Sequence, residues 1–485
     1  MNILFANSYF YKLDPKQWRF KQPYPPLGTL LAASVARHQA LHVELFDTNL
    51  RDSPDEIIPV LKRSKPDLMI IYDDGFNYLT KMCLTVMREA AFVLLREAKI
   101  AGCTTIIASS DATDHYEKYF GHGADIVIRG EGEDTLKELL ITLKDKHDLS
   151  KVQGIAFKQA GETILTPPRA VLRNLDSLPL PAWDLVNIPA YKEVWKNHHG
   201  YFSLNIATTR GCPYKCNWCA KPIYGNRYNS RSPELVAEEI NYLITQYQPD
   251  HFWMCDDIFG LKPNWIAQFN KSIKEKRLVF RYKIQSRVDL LLEDGLMQSL
   301  SESGCDTVWV GAESGSQRIL DAMDKGTTVA QIRQATRVLK DHRIKVGYFL
   351  QFGYPGESKN DIDATLNLVM EQMPDEIGIS VSYPLPGTKF YENVKSQLLE
   401  KQNWTDSDDL TVMYHSTFPK PYYKILQRYV HSRFRIQRGI HLMKSFVTIG
   451  PSFVQRDLRK IVSMIYHLPL SWIQSYQLKR LGSHA

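Results

Sequence analysis

The chain lacks several features that would place it in a special class of protein. No run reaches the roughly 18 apolar residues that span a bilayer, so any membrane contact is expected to be peripheral. The segment from Met1 to Asn7 has no cationic region and too short an apolar run for a secretory signal, and it predicts a buried strand. A composition of 44% hydrophobic and 23% charged residues excludes disordered and collagen-like classes. The expected compartment is the cytoplasm.

Cysteine is also scarce. Seven cysteines in 485 residues, an odd number scattered along the chain, argue against a disulfide framework and for a reducing compartment. Three of them, Cys212, Cys216 and Cys219, have C-x3-C-x2-C spacing just after a strand-like apolar run. Three thiolates on one short loop suit an iron-sulfur cluster or zinc. No fourth Cys or His follows at zinc-finger spacing, so a closed tetrahedral zinc site is disfavoured and one coordination position is left open.

Residues 1–145 alternate short apolar runs with helical patterns, which predicts an α/β domain with a doubly wound, Rossmann-like parallel sheet. A helix is expected from Leu27 to His38, after two prolines. The predicted strands are Ile3 to Ala6, Val43 to Phe46, Leu68 to Ile71, Thr105 to Ala108 and Ile126 to Ile128.

Polar loops follow the third, fourth and fifth of these strands, at the edge where such sheets bind ligands. They are 73–77, 109–111 and 129–133. The segment from Gly130 to Thr135 could present backbone N–H groups to a ligand at a helix start. Acidic residues in a first helical turn also respond to the helix dipole, so a simple capping role is an equal alternative.

Residues 146–200 read as a linker with one hairpin, Gly154 to Phe157 and Thr163 to Leu165. Residues 201–395 repeat a strand-helix unit six times, which predicts a partial (β/α)6 barrel resembling a TIM barrel, with its site at the carboxyl ends of the strands. Cys255 and Cys305 are expected to be buried packing thiols. The predicted strands are Ser203 to Ala207, His251 to Cys255, Phe280 to Gln285, Thr307 to Gly311, Val346 to Phe352 and Glu376 to Ser382.

Residues 396–485 form a basic, helical region. Between Lys420 and Ala485 there are twelve Lys or Arg residues and one acid, Asp457, interleaved with aromatic residues. The region could cap the barrel, lie on an anionic membrane surface or bind nucleic acid. The cap is the first expectation and peripheral membrane contact the second, while no recognisable nucleic-acid module is present.

The segment from Thr209 to Cys219, with an aromatic residue before its third cysteine, resembles the cluster loop of radical S-adenosylmethionine enzymes. The resemblance implies a 4Fe-4S cluster on Cys212, Cys216 and Cys219. It also implies that S-adenosylmethionine chelates the open iron, and that reduction releases methionine and a 5'-deoxyadenosyl radical. An electron donor such as flavodoxin or ferredoxin is the implied partner.

Loops at the ends of four later barrel strands are similar to those that hold S-adenosylmethionine in this family. A carboxylate such as Glu313 suits vicinal hydroxyls, a guanidinium such as Arg287 suits a carboxylate, and a glycine-rich backbone suits a flat base. For Asp256, Asp257 and Arg287, a mutual ion pair is the structural alternative. The residues expected to bind the cosubstrate are Asp257, Arg287, Glu313, Ser314, Gly353 and Pro355.

The first domain resembles the cobalamin-binding domain that precedes the barrel in one large class of these enzymes. The residues implied for cobalamin binding are Pro26, Leu27, Gly28, Asp74, Phe76, Ser109, Gly130, Glu131, Gly132 and Glu133. The D-x-H-x-x-G signature for a lower axial histidine is absent, and Ser109-Ser110 stand where the family usually has two glycines. His115 falls in a polar loop that is expected to be exposed, where a solvated or capping histidine is favoured over an axial ligand. Tyr72 and Phe76 could cover a corrin ring or pack in the core.

The resemblance covers about residues 1 to 390, and its class includes methylases of unactivated carbon or phosphorus and the anaerobic cyclase of chlorophyll biosynthesis. It predicts a cobalamin-dependent radical methyltransferase that acts on an unactivated carbon of a small or lipid-like substrate. Cyclisation, oxidation or rearrangement with the same cofactors is the alternative reaction. A regulatory or structural zinc protein without catalysis is the alternative of another class. The sequence names neither the substrate nor a general base.

Overall fold

The computed structural model describes residues 1–82, 84–219, 223–449 and 455–483. The five strands predicted for the first domain are all present, and they are parallel. The strands are β1 (Asn2–Ala6), β2 (His42–Phe46), β3 (Leu68–Tyr72), β4 (Thr104–Ala108) and β5 (Ile126–Ile128). The central strands β3 and β5 are buried on both faces, which explains their continuous apolar sequences, while the edge strand β2 is partly exposed.

The predicted hairpin is also present, and it continues the first sheet. Its strands, β6 (Ile155–Gln159) and β7 (Glu162–Leu165), extend the sheet antiparallel to β5, in the order β2-β1-β3-β4-β5-β6-β7. The sheet therefore reaches into the segment that the sequence assigned to a linker. The boundaries at residues 145, 200 and 395 stay predictions.

Helices cover both faces of the first sheet, and the predicted Leu27 to His38 helix is α2. Strand β2 lies on one side of β1 and β3 on the other, so the sheet changes winding direction between β1 and β3. Folds of this kind bind ligands at that point. The helices up to the barrel are α1 (Pro15–Phe20), α2 (Leu27–Arg37), α3 (Ile57–Ser64), α4 (Tyr78–Met82), α5 (Thr85–Ile100), α6 (Ser110–Phe120), α7 (Glu133–Asp145) and α8 (Ile188–His199).

The second sheet confirms the predicted partial barrel. Its six strands are all parallel, in the order β15-β14-β13-β12-β11-β8, and a short antiparallel pair, β9 and β10, follows the first of them. These strands are β8 (Ser203–Ile206), β9 (Thr209–Arg210), β10 (Asn229–Ser230), β11 (His251–Met254), β12 (Arg281–Ser286), β13 (Cys305–Glu313), β14 (Lys345–Phe352) and β15 (Glu376–Val381). The accompanying helices are α9 (Pro233–Tyr247), α10 (Trp265–Glu275), α11 (Leu296–Glu302), α12 (Gln317–Ala322), α13 (Val329–Asp341), α14 (Lys359–Gln372) and α15 (Lys389–Val394).

Two long helices, α16 (Lys420–Ile449) and α17 (Gln455–Gly482), form most of the C-terminal region. Helix α16 packs against α14 and β15, at the end of the barrel, and α17 packs against α16. The contacts of α16 agree with the expected helical cap. In the part of the chain that is described, no helix is both long and apolar enough to cross a membrane.

The two α/β units share apolar packing. Leu27, Leu30 and Phe76 of the first unit belong to the same buried cluster as the barrel side chains, and Trp183 and Trp195 from the connecting segment join it. Burial of this common core holds the carboxyl ends of the first sheet next to the first barrel strands.

Candidate active site

The three-cysteine loop begins directly after β9, at the carboxyl end of the first barrel strand. Cys212 is buried, while Cys216 and Cys219 are partly exposed. Gly211 has a φ of +78°, and a Cβ atom there would lie 2.2 Å from the carbonyl oxygen of Arg227. A glycine is therefore required for the loop to turn at this point.

Asn217, inside the loop, fixes it to the far side of the barrel. Its backbone N–H donates to the Met323 carbonyl at 3.0 Å, and its side-chain amide donates to the Ala322 carbonyl at 2.7 Å. The Tyr354 hydroxyl lies 3.1 Å from Asn217 Oδ1, and the Phe390 N–H donates to the Asn217 carbonyl at 2.9 Å. Protein contacts thus shape the loop on several sides.

Asp256 fixes the entry to the loop. Its buried carboxylate accepts hydrogen bonds from the Thr208 N–H at 2.7 Å, the Thr208 hydroxyl at 2.5 Å and the Thr209 N–H at 2.8 Å. Burial raises the pKa of Asp256 to about 7, although these bonds act in the opposite direction. Asp256 therefore ties the end of β11 to the end of β8.

The donor set of the loop fits an iron-sulfur cluster. Within the described ranges, no three His, Cys, Asp or Glu side chains gather closely enough to hold a single metal ion. A 4Fe-4S cluster needs more widely spaced thiolates, because each one binds a different iron. Cys255 and Cys305 are buried in the barrel, which confirms their expected packing role.

Arg287, at the end of β12, lies beside the loop. Its guanidinium pairs with both oxygens of Asp289 at 3.0 Å, lies 3.7 Å from the Tyr214 ring and 3.9 Å from the Cys216 sulfur. A further N–H donates to the Lys325 carbonyl at 3.0 Å. This fixed positive charge suits either a thiolate or the carboxylate of a bound cosubstrate.

Glu313 ends β13 in an unusual conformation. Its φ is +55°, a region that non-glycine residues rarely occupy, and the strand register shifts between Gly311 and Glu313. The buried carboxylate pairs with Lys325 Nζ at 2.8 Å, and this ammonium lies 5.9 Å from the Trp218 ring in the cysteine loop. The unusual backbone therefore directs a carboxylate and an ammonium toward the loop.

Asp257 pairs across the domain junction. Its carboxylate lies 2.5 Å from the Nζ atom of Lys81, which belongs to α4 of the first unit. Arg287 pairs with Asp289, and Asp256 is held by Thr208 and Thr209, so the alternative of a mutual ion pair among the three residues is wrong.

The remaining residues expected at the cosubstrate site lie in the loops after β13 and β14. The Ser314 hydroxyl is 3.1 Å from the Thr365 hydroxyl. Gly353 has a φ of +79°, and its N–H donates to Glu357 at 2.6 Å. Pro355 is half-buried in the same loop. These contacts place the three residues along one rim of the barrel.

The residues expected to hold cobalamin lie at the facing edge of the first sheet. Pro26, Leu27 and Gly28 begin α2, and the Gly28 N–H donates to Asp74 at 3.3 Å. The Phe76 N–H donates to the same carboxylate at 3.0 Å, and burial raises the pKa of Asp74 to about 6. Asp74 thus links the α2 start to the loop after β3.

Aromatic side chains close this edge toward the barrel. Phe76 stacks on Tyr224 with 5.8 Å between ring centroids. A Cβ atom on Gly132 would lie 2.7 Å from the Tyr72 hydroxyl, so Tyr72 packs directly on the loop after β5. Gly130, with a φ of +80°, has no atom within 4 Å of a Cβ position.

Glu131 and Glu133 bind Arg210, which lies two residues before the first cysteine of the loop. Arg210 Nη1 donates to Glu131 at 2.5 Å, and Nη2 donates to Glu133 at 2.7 Å. The Arg210 side chain is 3% exposed. The two acids therefore join the first unit to the cysteine loop.

Ser109 is the N-cap of α6, and His115 lies within that helix. The Ser109 hydroxyl caps the helix by accepting from the Ala112 N–H at 2.9 Å. The prediction of an exposed loop around His115 was wrong, because this residue lies within α6 at a point of non-helical backbone angles. Its Nε2 atom is 3.8 Å from Asp111, and burial lowers its pKa.

The sequence did not indicate the roles of three cations that organise the site. They are Lys81, Arg210, which bridges the two units, and Lys325. Each pairs with a carboxylate that the sequence had singled out, namely Asp257, Glu131 with Glu133, and Glu313. No local spacing signals these pairs, because two of them join residues about 80 and 176 positions apart.

The three-cysteine loop lies at the strand ends of a parallel partial barrel and faces the ligand edge of a Rossmann-like domain. This arrangement defines a class of cluster-binding enzymes. Residues 206–369 match the model of the radical SAM superfamily. This match places similarity to that superfamily in the part of the chain that carries the cysteine loop and four of the six parallel barrel strands.

Relatives extend the likeness over most of the chain. An uncharacterised methyltransferase of Pyrococcus horikoshii is 28% identical over 407 residues, which is 81% of this chain and 84% of that protein. The anaerobic magnesium-protoporphyrin IX monomethyl ester cyclase of Synechocystis is 25% identical over 375 residues, 76% of this chain and 73% of that protein.

The fold of both units recurs in a solved structure. The cobalamin-dependent S-adenosylmethionine radical enzyme OxsB, with aqua-cobalamin and S-adenosylmethionine bound, has a TM-score of 0.75 and 18% sequence identity. The match covers 99% of this chain and 72% of that one. The expected fold class is confirmed.

Proposed function

We propose that this protein is a cobalamin-dependent radical S-adenosylmethionine methyltransferase that transfers a methyl group to an unactivated carbon. The observation that carries the proposal is the juxtaposition of the cysteine loop with the carboxyl edge of the first sheet, joined by Arg210, Glu131 and Glu133. Two cofactor-binding edges then meet in one space. The Pyrococcus methyltransferase, similar over most of the chain, supports the same reaction.

In this proposal Cys212, Cys216 and Cys219 hold the 4Fe-4S cluster, which supplies the electron that cleaves S-adenosylmethionine. Arg287 offsets the charge of the nearby Cys216 thiolate and offers N–H groups to a carboxylate. Asp257, Glu313, Ser314, Gly353 and Pro355 are the proposed cosubstrate contacts. For Asp257 and Glu313, cosubstrate binding would compete with the ion pairs to Lys81 and Lys325.

The proposed cobalamin site is formed by the loops after β3, β4 and β5 and the start of α2. Bound cobalamin supplies the methyl group to be transferred. The edge is polar, and there is open space beside Gly130. Both features suit a large polar ligand.

Radical SAM enzymes act on small molecules and need a reductant. We propose flavodoxin or ferredoxin as the electron donor, since the chain has a net charge of +7 and these carriers are commonly acidic. The partly exposed Cys216 and Cys219 put the cluster side of the loop within reach of a docked carrier.

The experiment is metal and cofactor analysis after anaerobic reconstitution with iron, sulfide and cobalamin. We expect about four irons per wild-type chain, bound cobalamin, and 5'-deoxyadenosine when S-adenosylmethionine and a strong reductant are added. A Cys212→Ala, Cys216→Ala, Cys219→Ala variant should lose the iron and the 5'-deoxyadenosine.

The matched control replaces Cys103, Cys255 and Cys305 by alanine, which removes the same number of thiols away from the loop. It should retain iron and cobalamin. Equal iron in the wild type and the loop variant would contradict the proposal, and zinc without iron would favour a structural zinc protein.

A second candidate reaction is cyclisation or oxidation with the same cofactors, which the Synechocystis cyclase favours by its likeness to 76% of this chain. S-adenosylmethionine with a ¹³C-labelled methyl group separates the two reactions. Label transferred to protein-bound cobalamin supports methylation. Reductive formation of 5'-deoxyadenosine without labelled cobalamin supports the second candidate.

We further propose that α17 rests on an anionic membrane surface. Its side toward α16 carries the buried Met464, His467 and Leu478, while the opposite side exposes apolar and aromatic residues. Trp472 is 81% exposed and Tyr476 is 69% exposed. The exposed apolar and aromatic side chains of α17 are Leu458, Val462, Ile465, Tyr466, Leu468, Trp472, Ile473 and Tyr476. Such a stripe, flanked by cations, is typical of helices that lie in a bilayer interface.

A further inference from the structure

A cavity of about 190 Å³ lies between the two α/β units, on the side of the first sheet where its winding direction changes. Asn7 and Asn49, at the ends of β1 and β2, form its first wall. Asn205, Trp253 and Lys283 form the opposite wall, and they are register neighbours on the adjacent barrel strands β8, β11 and β12. The cavity thus opens on the inside of the barrel.

Lys283 lines this cavity with its side-chain amino group, and burial lowers the pKa of that group. Its Nζ atom lies 5.3 Å from the Tyr24 ring and 5.4 Å from the Trp253 ring. Within the described ranges, no carboxylate lies at ion-pair distance from this atom. Two aromatic faces offset only part of the cost of desolvating an ammonium, so the site favours an added anion.

Asn205 lines the same cavity, and its side chain carries an acceptor without a partner. Its side-chain amide donates to the Pro25 carbonyl at 3.1 Å, which fixes the orientation of the group. Its Oδ1 atom is buried and has no hydrogen-bond partner among the described residues. A buried acceptor without a donor is costly, and a hydroxyl or amino group on a ligand would satisfy it.

We propose that this cavity binds the anionic end of the substrate, a carboxylate or phosphate on Lys283, with a neighbouring hydroxyl or amino group donating to Asn205. The inference rests on the proposed function, because it makes the cavity the substrate pocket of that enzyme. The volume admits a small polar group and leaves no room for a whole polycyclic molecule. The polar wall also disfavours a purely hydrocarbon substrate at this point.

The cavity is adjacent to the proposed cobalamin loops and mostly separate from them. It lies at the ends of β1, β2 and β3, while Ser109 and the loop from Gly130 to Glu133 follow β4 and β5. Pro26 and Asp74 border both places. Cobalamin itself carries a phosphate and amide groups, so the test must separate substrate binding from cofactor binding.

The test is a ligand-observed NMR titration of the reconstituted holoenzyme with acetate, inorganic phosphate and the neutral analogue acetamide. We expect wild-type protein to bind acetate or phosphate saturably and to bind acetamide much more weakly. Lys283→Met should weaken anion binding by roughly 10- to 100-fold, the range for a lost hydrogen bond to a charged group. Lys283→Arg should restore part of it.

Lys271→Met is the matched control, since it removes the same charge from an exposed position on α10. It should bind the anions as the wild type does. Iron and cobalamin contents are measured on every preparation, so that a misfolded variant is recognised. If Lys283→Met fails to fold, the comparison of acetate with acetamide on wild-type protein still tests the anion site. Equal binding of the two compounds would refute the proposal.

Three further results have definite meanings. Unchanged anion affinity in correctly loaded Lys283→Met protein would overturn the proposal. Loss of cobalamin from that variant with iron retained would also overturn it, because Lys283 would then serve the cofactor. Wild-type protein that holds no cluster, yet binds acetate through Lys283, would refute the proposed function and support the anion site alone.

Discussion

Glu357 is a buried acid whose environment opposes ionisation. The side chain is fully buried in the loop after β14, and one carboxyl oxygen accepts from the Gly353 N–H at 2.6 Å. The other oxygen has no hydrogen-bond partner among the described residues. Burial raises the pKa of Glu357 from its ordinary value of 4.5 to about 8. The folded protein therefore keeps this carboxyl protonated near neutral pH.

This shift predicts a loss of stability with rising pH. Between pH 4.5 and about 8 the folded state binds the proton and the unfolded state does not, so the free energy of unfolding falls as pH rises. The slope from this group is at most about 1.4 kcal/mol per pH unit. Glu357→Gln, which cannot ionise, should flatten the profile and be more stable than wild type at pH 8. Denaturant unfolding from pH 6 to pH 8 measures both.

The control is Glu275→Gln, at an exposed position on α10, which should keep the slope of the wild type. An identical slope in wild type and Glu357→Gln would show that Glu357 is already ionised at pH 6.

At the level of single residues, the cysteines were predictable and their ionic surroundings were not. The thiols share one short loop, so their spacing alone carries the chemistry. Lys81 and Lys325 meet their carboxylates only after the chain has folded, and neither lies in a recognisable motif. Asp256 was considered only as a member of an ion pair, yet its hydrogen bonds to Thr208 and Thr209 give it a positioning role.

Among the elements, α17 is exceptional because apolar residues lie on both of its sides. One side packs on α16 and the other meets solvent, with Arg459, Lys479 and Arg480 exposed nearby. Burying a large apolar side chain is worth about 1.5–3 kcal/mol. Several such side chains on one stripe suffice for reversible binding to a lipid surface, and the cations favour anionic headgroups.

We therefore expect the protein to co-sediment with vesicles that contain phosphatidylglycerol and to bind purely zwitterionic vesicles less well. Trp472→Ser combined with Ile473→Ser should weaken binding at least about 10-fold, since both side chains lose their apolar burial. Added salt should weaken binding to the anionic vesicles.

Ile100→Ser, which removes an exposed apolar side chain from the first unit, is the control and should bind as wild type. Unchanged vesicle binding after the double substitution at Trp472 and Ile473 would show that α17 does not contact the lipid. If the wild-type protein does not bind vesicles, α16 and α17 act only as a cap on the barrel.

The regular elements were predictable because buried parallel strands leave long apolar runs with little ambiguity. All eleven parallel strands of the two sheets were anticipated within one or two residues. The hairpin was found but its pairing with β5 was not, because register with a distant strand has no local signal. His115 was misplaced because its polar surroundings suggested a loop, whereas Ser109 caps a helix there.

For the whole molecule, the Arg210 bridge is the most buried ionic link between the two units. Arg210 and its partners Glu131 and Glu133 are each nearly inaccessible to water. The guanidinium also lies 5.5 Å from the Phe76 ring and 5.2 Å from the Tyr224 ring. Removing one member of such a group leaves the others charged and unpaired. The loss of folding free energy is then far larger than the net contribution of the intact ion pairs to stability.

Arg210→Met should therefore lower the free energy of unfolding by about 3–5 kcal/mol and raise hydrogen exchange in β9 and at the start of α7. Adding Glu131→Gln and Glu133→Gln removes the unpaired charges and should recover part of the loss. Denaturant unfolding and exchange measured by mass spectrometry follow both effects. An Arg210→Met protein as stable as wild type would contradict this account of the junction.

The position of the 190 Å³ cavity has a consequence for how related enzymes can diverge. Its walls come from both α/β units, with Asn7 and Asn49 on one side and Asn205, Trp253 and Lys283 on the other. A change of substrate therefore demands compensating changes in both halves of the gene. Chimaeras that exchange the first domain among relatives would inherit a mismatched pocket even when each half folds and binds its own cofactor.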